Sequence, residues 1–391
     1  MSALEQRDSS AAGPLTGRRA AALPPGLEAA LAEIAAGAPA RDAEPRPRFP
    51  ADAIQALRRV GALGWNARPG RARPPAAAEL TLVRRVAAAD GSVGRIFDGH
   101  LNAVERLAVQ APAAVRDAEL AAARAGTLLA GVWGGDPVRD EGAPARVRRS
   151  GSAEIVQGVK TFCSGAGGLD RAAVLAAGPD GGPPWLVWVD VGDRDHVEID
   201  ATWYRGRGLV ASVSHRVVFH GAPVLARLGP PGAISEQPWL ARDALRTAAT
   251  WAGMADAATR AALAELARRP GRGDLESLAA GRILTARHTI DAWLEQAAQA
   301  MDEPDAHLGP LALHGRAAIA AGCRTLLDEA ARACGSGPFA RAETLDRARR
   351  DLELFLLQHR LDPLLAREGG RVLDQMATEH ATGGGGACTI T

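Results

Sequence analysis

Apolar side chains recur every three or four positions over two long parts of the chain, a spacing typical of helices that bury one face. In the first part a helix begins at Pro50 and ends near Gly64, because proline favours a helix start and glycine a helix end. Further helices are predicted there at residues 27–36, 76–89 and 93–107. In the second part the pattern predicts helices at residues 240–268, 275–301, 311–334 and 345–365, separated by turns rich in glycine and proline.

The stretch from residue 126 to residue 228 follows a different pattern. Short apolar or alternating runs lie between Gly, Pro and Asp residues there, which predicts a small β barrel or sandwich. We therefore expect an α+β multidomain protein with an N-terminal helical domain (46–125), a middle β domain (126–232) and a C-terminal four-helix bundle (233–375). The flanking residues 1–45 and 376–391 are predicted to be a flexible segment and a disordered tail.

The composition argues against several classes of protein, among them nucleic-acid-binding, disulfide-rich and membrane-spanning proteins. The chain has 391 residues, 47% of them hydrophobic, and a net charge of +1, which gives no electrostatic reason to expect nucleic acid or an anionic membrane as partner. Its four cysteines lack paired spacing, so neither a disulfide framework nor a metal site is expected. No apolar run has the length of a membrane span, and we expect a soluble cytoplasmic protein whose many arginines lie mostly on solvated faces.

The segment at residues 156–166 carries the strongest chemical signal. It contains Lys160, the only lysine of the chain, and its β-rich run ends in the small residues 164–168. Small residues let a flat ligand approach the backbone closely. The alternative interpretation is a plain strand that leaves into a glycine-rich turn.

The order of helices, β domain and helices, with the motifs at its joints, resembles the acyl-CoA dehydrogenase superfamily of flavoproteins over residues 47–373. It is most similar to the branch that contains flavin-dependent monooxygenases. The motifs are residues 49–61, 88–94 followed by His100, 156–166, 208–219, and 332–337 followed by Arg350 and Asp351.

The resemblance implies that FAD, or FMN, binds between the middle domain and the bundle. Phe162 would stack near the isoalloxazine ring, Cys163 and Ser164 would face its polar edge, and Trp133 would lie on the other strand that faces the flavin. Alternatively, the two aromatic residues are ordinary core residues.

The turn Gly335-Ser336-Gly337 would bind a phosphate of the flavin in a neighbouring subunit, which implies a homodimer or homotetramer. The alternative is a simple connection between helices. The family's usual pyrophosphate segment is degraded here to residues 268–274, where Arg269 or Arg272 would substitute. This departure leaves the choice between FAD and FMN open.

The resemblance also places two candidates for proton transfer. His359 lies nine residues after Arg350, where a glutamate is usual in the family, and Asp243 lies ten residues before Gly253. A histidine there suits a monooxygenase or oxidase that takes a reduced flavin from a reductase or another electron-transfer partner and acts on a small molecule. The alternatives are an acyl-thioester dehydrogenase that uses either residue as base, and a flavin-binding scaffold without catalysis. The alternative for Asp243 is an i,i+3 surface partner of Arg246.

Overall fold

The computed structural model describes residues 23–70, 72–138, 140–179, 181–303, 307–358 and 360–381. His359, most of the predicted disordered tail and the first half of the predicted flexible segment lie outside these residues. Residues 376–381 continue the last helix.

The N-terminal part is helical, as predicted. Its helices are α1 (Leu27–Asp42), α2 (Ala51–Arg59), α3 (Ala76–Ala89), α4 (Gly91–Gln110) and α5 (Ala113–Arg124). Asp90 caps the N-terminus of α4. Its carboxylate accepts hydrogen bonds from the N–H groups of Ser92 and Val93 at 2.9 and 3.2 Å, the standard contact of an N-cap aspartate. α1 runs six residues past its predicted end, and Arg41 near its C-terminus pairs with Asp52 and Asp90.

The middle part forms one seven-stranded mixed sheet of order β1-β4-β5-β7-β3-β2, with β6 also paired to β7. Only the β1–β4 pair is parallel among these strands of the described chain. Because β7 pairs with β3, β5 and β6, it connects strands β1, β4 and β5 to strands β2, β3 and β6. The strands are β1 (Ala130–Trp133), β2 (Arg146–Ser150), β3 (Ala153–Cys163), β4 (Arg171–Ala176), β5 (Trp185–Asp190), β6 (Val197–Asp200) and β7 (His215–Arg227).

The C-terminal part is built on four long helices, α6 (Trp239–Ala267), α7 (Asp274–Met301), α8 (Leu308–Cys334) and α10 (Thr344–Leu357), with the short α9 (Gly337–Ala340) and a final α11 (Asp362–Ala381). The single helix predicted at 345–365 is therefore wrong. Two helices occupy it: α10 ends at Leu357, and α11 begins at Asp362 with Pro363 in its first turn, where the missing N–H of proline is tolerated. Among the described residues, no helix combines the length and the apolar character that a bilayer crossing requires.

Candidate functional site

Backbone strain concentrates where β3 ends and β7 begins. Phe162, Leu209 and Val213 have φ angles of 53°, 50° and 43°, a region that residues other than glycine rarely occupy and that is unusual for a β-branched valine. Such conformations cost of order 1–3 kcal/mol each and tend to collect at functional sites. This strain is the first structural indication of a site.

Hydrogen bonds join the two strained segments. The N–H of Gly165 donates to the carbonyl of Ser212 at 2.7 Å. The hydroxyl of Ser214 lies 2.9 Å from that of Ser164 and 2.8 Å from that of Ser212. These contacts build one polar cluster, called here the serine face: Ser164, Ser212 and Ser214, of which Ser212 and Ser214 are buried and Ser164 is half-buried.

The residues predicted at the end of β3 are brought together, but in different roles. Phe162 is 54% exposed, and its ring meets that of Trp203 edge-on with centroids 4.9 Å apart. Cys163 and Trp133 are buried, and the indole N–H of Trp133 donates to the carbonyl of Ser164 at 3.1 Å. Phe162 and Ser164 are therefore accessible to a ligand, whereas Trp133 supports the turn from inside the protein.

Lys160 fixes the loop that follows β1. Its buried ammonium group donates to the carboxylate of Asp136 at 2.7 Å and to the carbonyl of Gly134 at 3.3 Å. Gly135 in this loop lies so close to β3 that a Cβ atom would come within 2.5 Å of the carbonyl oxygen of Thr161. The sole lysine thus positions the loop against the strained turn.

The Arg350-Asp351 pair ties the bundle to the serine face. Asp351 is buried on α10, and one of its carboxylate oxygens accepts the N–H of strained Leu209 at 2.5 Å. Arg350 pairs with Asp42 at 2.7 Å and with Asp346 at 2.9 Å. Burial, together with the nearby Asp90 and Asp42 carboxylates, raises the pKa of Asp351 to about 7 despite the hydrogen bond from Leu209.

Asp351 makes stability depend on pH. The pKa of Asp351 is about 7 in the folded protein but about 3.9 in an unfolded chain. Its contribution to the free energy of unfolding is therefore full below pH 4, where both states are protonated, and is lost as the pH rises through 7. Asp351→Asn keeps the oxygen that accepts from Leu209. We expect the variant to match the wild type near pH 4 and to exceed its unfolding free energy by about 2–4 kcal/mol at pH 8. Urea unfolding at both pH values measures this, and parallel pH profiles for the two proteins would contradict it.

The elements predicted to hold phosphate meet at the end of α8. Arg269 donates to the carbonyl of Cys334 at 3.0 Å, directly before Gly335, which has a φ of 69°. The helix that follows, α9, has only four residues, so its dipole adds little. Arg272 is exposed in the α6–α7 loop. The fold therefore brings Arg269 and the Gly335–Gly337 turn together.

Asp243 takes part in a buried ion-pair network. It pairs with Arg106 at 2.7 Å and with Arg246 at 3.4 Å, and burial raises its pKa to about 6 despite these arginines. Arg246 also pairs with Glu79 and Glu105. Asp243 is therefore held by two guanidinium groups. It is the i,i+3 partner of Arg246, but the pair lies in a buried network, and its predicted position on the surface is wrong.

The expectation that arginines lie on solvated faces is wrong for this network. Arg106, Arg242 and Arg246 are buried with Glu79 and Glu105. Burial would raise the pKa of Glu105, yet it lies at about 2 because Arg246, Arg242 and Arg73 surround the carboxylate. One signal was available in the sequence, since Glu79 falls at helical spacing between Ala76 and Val83 on the apolar face of α3.

His100 is a satisfied core residue. One ring nitrogen lies 2.8 Å from the carbonyl of Leu63, and the other accepts the N–H of Ala130 at 3.1 Å. Burial lowers the pKa of His100 to about 4, so the ring is neutral at physiological pH. It joins α4 to the start of β1.

The sequence matches no known family model and none of the curated protein sequences. Solved structures do match. The dibenzothiophene monooxygenase TdsC from Paenibacillus sp. A11-2, in a complex with FMN and indole, is 19% identical, with 90% of this chain and 97% of that chain covered at a TM-score of 0.73. Methanesulfinate monooxygenase MsuC from Pseudomonas fluorescens is 20% identical, with 89% and 95% covered at a TM-score of 0.73.

A probable acyl-CoA dehydrogenase from Mycobacterium abscessus is 16% identical, with 85% of this chain and 94% of that chain covered at a TM-score of 0.67. These likenesses extend over all three parts of the chain, and they confirm the predicted architecture. The chain therefore has the fold that acyl-CoA dehydrogenases share with flavin-dependent monooxygenases such as TdsC.

Proposed function

We propose that this protein is a flavin-dependent oxidoreductase, acting as a monooxygenase or oxidase on a small organic or carrier-bound substrate. The observation that carries the proposal is the exposed ring of Phe162, held in a strained backbone conformation beside the serine face. TdsC, with the same fold, has been solved with FMN. Strain of this kind is retained where it serves a site.

The residues around Phe162 fit an isoalloxazine ring. The Phe162 and Trp203 rings supply an apolar wall, and the Ser164 hydroxyl supplies a polar contact at its edge. Gly165, with a φ of 79°, takes the left-handed conformation that turns the chain behind Ser164, and a Cβ atom there would come within 2.7 Å of the Leu169 side chain. Arg269 and the Gly335–Gly337 turn would take a phosphate, and Arg272 in the neighbouring loop is a second candidate. FMN and FAD both meet these requirements.

Each residue has a distinct part in the proposed reaction. When bound, a flavin would supply the redox chemistry: its reduced form would give electrons to dioxygen, and its oxidised form would accept a hydride. Phe162 excludes water from the ring, and Ser164 is oriented by Ser214. Trp133 and Cys163 hold the turn from inside, and Asp351 holds Leu209 in place. His359 is proposed to exchange the proton with the substrate or with reduced oxygen.

The alternative reaction, dehydrogenation of an acyl thioester, needs a base, for which Asp243 and His359 are the two candidates. Asp243 is paired with Arg106 and Arg246, which disfavours this alternative and supports oxygen chemistry. Reducing equivalents would then come from a separate reductase or another electron-transfer partner.

Assembly into a homodimer or homotetramer is part of the proposal. Large apolar side chains are exposed on α7 and α11, namely Leu275, Leu278, Leu364, Leu373 and Met376. Such side chains are suited to a contact between subunits, and light scattering of the purified protein would give its mass in solution.

Flavin binding gives the direct test. Removing the Phe162 ring takes away about 1–1.5 kcal/mol of stacking, so Phe162→Ala is expected to weaken the binding of FMN or FAD about tenfold in a fluorescence-quenching titration. Leu225→Ala, which removes a 42% exposed side chain from β7, is the matched control and should bind as the wild type does. A wild-type protein that binds neither flavin would refute the proposed function.

A further inference from the structure

Arg316 on α8 carries a buried guanidinium group. Arg316 is only 7% exposed, and its Nε and Nη2 atoms have no hydrogen-bond partner within the described chain. Its guanidinium carbon lies over the ring of Trp251, 5.2 Å from the centroid. Burial lowers the pKa of Arg316 to about 10, and the carboxylate that counteracts this is Asp98. A buried cation of this kind is costly unless something pairs with it.

A second guanidinium depends on the same carboxylate. Arg95 on α4 lies over the ring of Phe355, 5.3 Å from its centroid, and 3.4 Å from Asp98. The Asp98 carboxylate also accepts from Asn102 at 3.0 Å and from Thr247 at 3.2 Å. One carboxylate therefore serves two arginines, so that Arg95, Arg316 and Asp98 together carry a net charge of +1.

There is open space beside Arg95. Gly99 lies one helical turn further along α4 and is buried, yet a Cβ atom built there would have a single heavy atom within 4 Å, Nη1 of Arg95 at 3.6 Å. Gly94 on the same helix is different, because its Cβ would come within 2.5 Å of Ala87. Gly94 is required for close packing, whereas Gly99 leaves room next to a guanidinium group.

The two aromatic residues that the arginines contact also contact each other. The rings of Trp251 and Phe355 meet edge-on, with centroids 6.1 Å apart. Phe355 lies on α10, four residues before His359 in the sequence. Arg95 therefore stacks on an aromatic residue of α10, and Arg316 stacks on one of α6, and the two aromatic rings touch each other.

We propose that Arg316, assisted by Arg95, binds the carboxylate of a small organic acid that is the substrate of the enzyme, with the apolar part of that acid against Trp251 and Phe355. This inference rests on the proposed function for the reaction, but the anion site itself does not require flavin. A guanidinium binds a carboxylate through two parallel hydrogen bonds. The unpartnered nitrogens of Arg316 are suited to this contact, and the added negative charge would neutralise the excess positive charge.

Benzoate and its neutral isostere benzamide test the site by isothermal titration calorimetry. Benzoate is expected to bind the wild type more tightly than benzamide does. Arg316→Gln should weaken benzoate binding at least tenfold, the size of effect expected for a hydrogen-bonded ion pair. Arg324→Gln removes an exposed arginine from the same helix and should change nothing. Equal affinities for the two probes, no benzoate binding by the wild type, or unchanged binding by Arg316→Gln would each overturn the proposal.

A thermal-melt measurement separates a binding role from a structural one. If Arg316 is kept for a ligand, Arg316→Met removes an unpaired buried charge and should raise Tm by a few degrees, while benzoate should raise the Tm of the wild type only. A lower Tm for Arg316→Met would overturn the proposal. Flavin titration of the same preparations separates the two hypotheses, because failure to bind flavin with intact Arg316-dependent benzoate binding refutes the oxidoreductase and leaves the anion site standing.

Discussion

Arg246→Met is expected to lower the free energy of unfolding by about 3–5 kcal/mol, because it leaves buried carboxylates without their central cation. Arg246 contacts Glu79, Glu105 and Asp243, and its Nη1 atom donates to Asn102 at 3.1 Å. The side chain is fully buried, so water does not replace it without rearrangement of α3, α4 and α6. Urea unfolding followed by tryptophan fluorescence measures the loss.

The matched control for this prediction is Arg324→Met on the exposed face of α8, which should change the unfolding free energy by less than about 0.5 kcal/mol. The same substitution at Arg316 is expected to have the opposite sign. A loss below 1 kcal/mol for Arg246→Met would contradict the view that this network stabilises the junction of the N-terminal helices and the bundle.

The second large effect concerns catalysis. His359→Ala is expected to retain flavin but to lose turnover by about 10²-fold or more, if the imidazole transfers the proton as proposed. His359→Gln keeps a hydrogen-bonding group without the proton exchange and should be equally slow. Stopped-flow mixing of the reduced, flavin-loaded protein with oxygen and substrate gives the rates, and flavin titration checks that the cofactor site is intact.

Anaerobic mixing with acyl-CoA tests the alternative, an acyl-thioester dehydrogenase. If anaerobic acyl-CoA bleaches the oxidised flavin without a reductase, and Asp243→Asn abolishes this while His359→Ala does not, the protein is an acyl-thioester dehydrogenase. Because Asp243 is paired with Arg106 and Arg246, we expect no such bleaching. Wild-type turnover in His359→Ala would by itself rule out the proposed role of the histidine.

Much of the fold was predictable from periodicity. The helix–sheet–helix order follows from the change between the two spacings of apolar residues, and the resemblance of residues 156–166 to a flavin-contacting strand implies a role for Phe162. The left-handed conformations of Leu209 and Val213 were not predictable, because neither residue type favours them. Tertiary contacts, such as the hydrogen bond from Leu209 to Asp351, impose them.

The buried charges show a second limit. A helical pattern assigns arginine to solvent by default, since an isolated charge is costly to bury. Arg242 and Arg246 are buried together with Glu79 and Glu105, which come from two other helices. These partners cannot be predicted from the local sequence of α6. Arg316 is also buried against this expectation, but for another reason: its proposed partner is a ligand and not a residue of the chain.

Lys160 has a practical consequence. It is the only lysine in the sequence, and its amine is buried against Asp136 and Gly134. An amine-reactive reagent can modify this side chain only when the loop after β1 separates from β3. Acylation of the one lysine therefore reports the frequency of local opening at the edge of the proposed flavin site, and a ligand that closes the site should slow it.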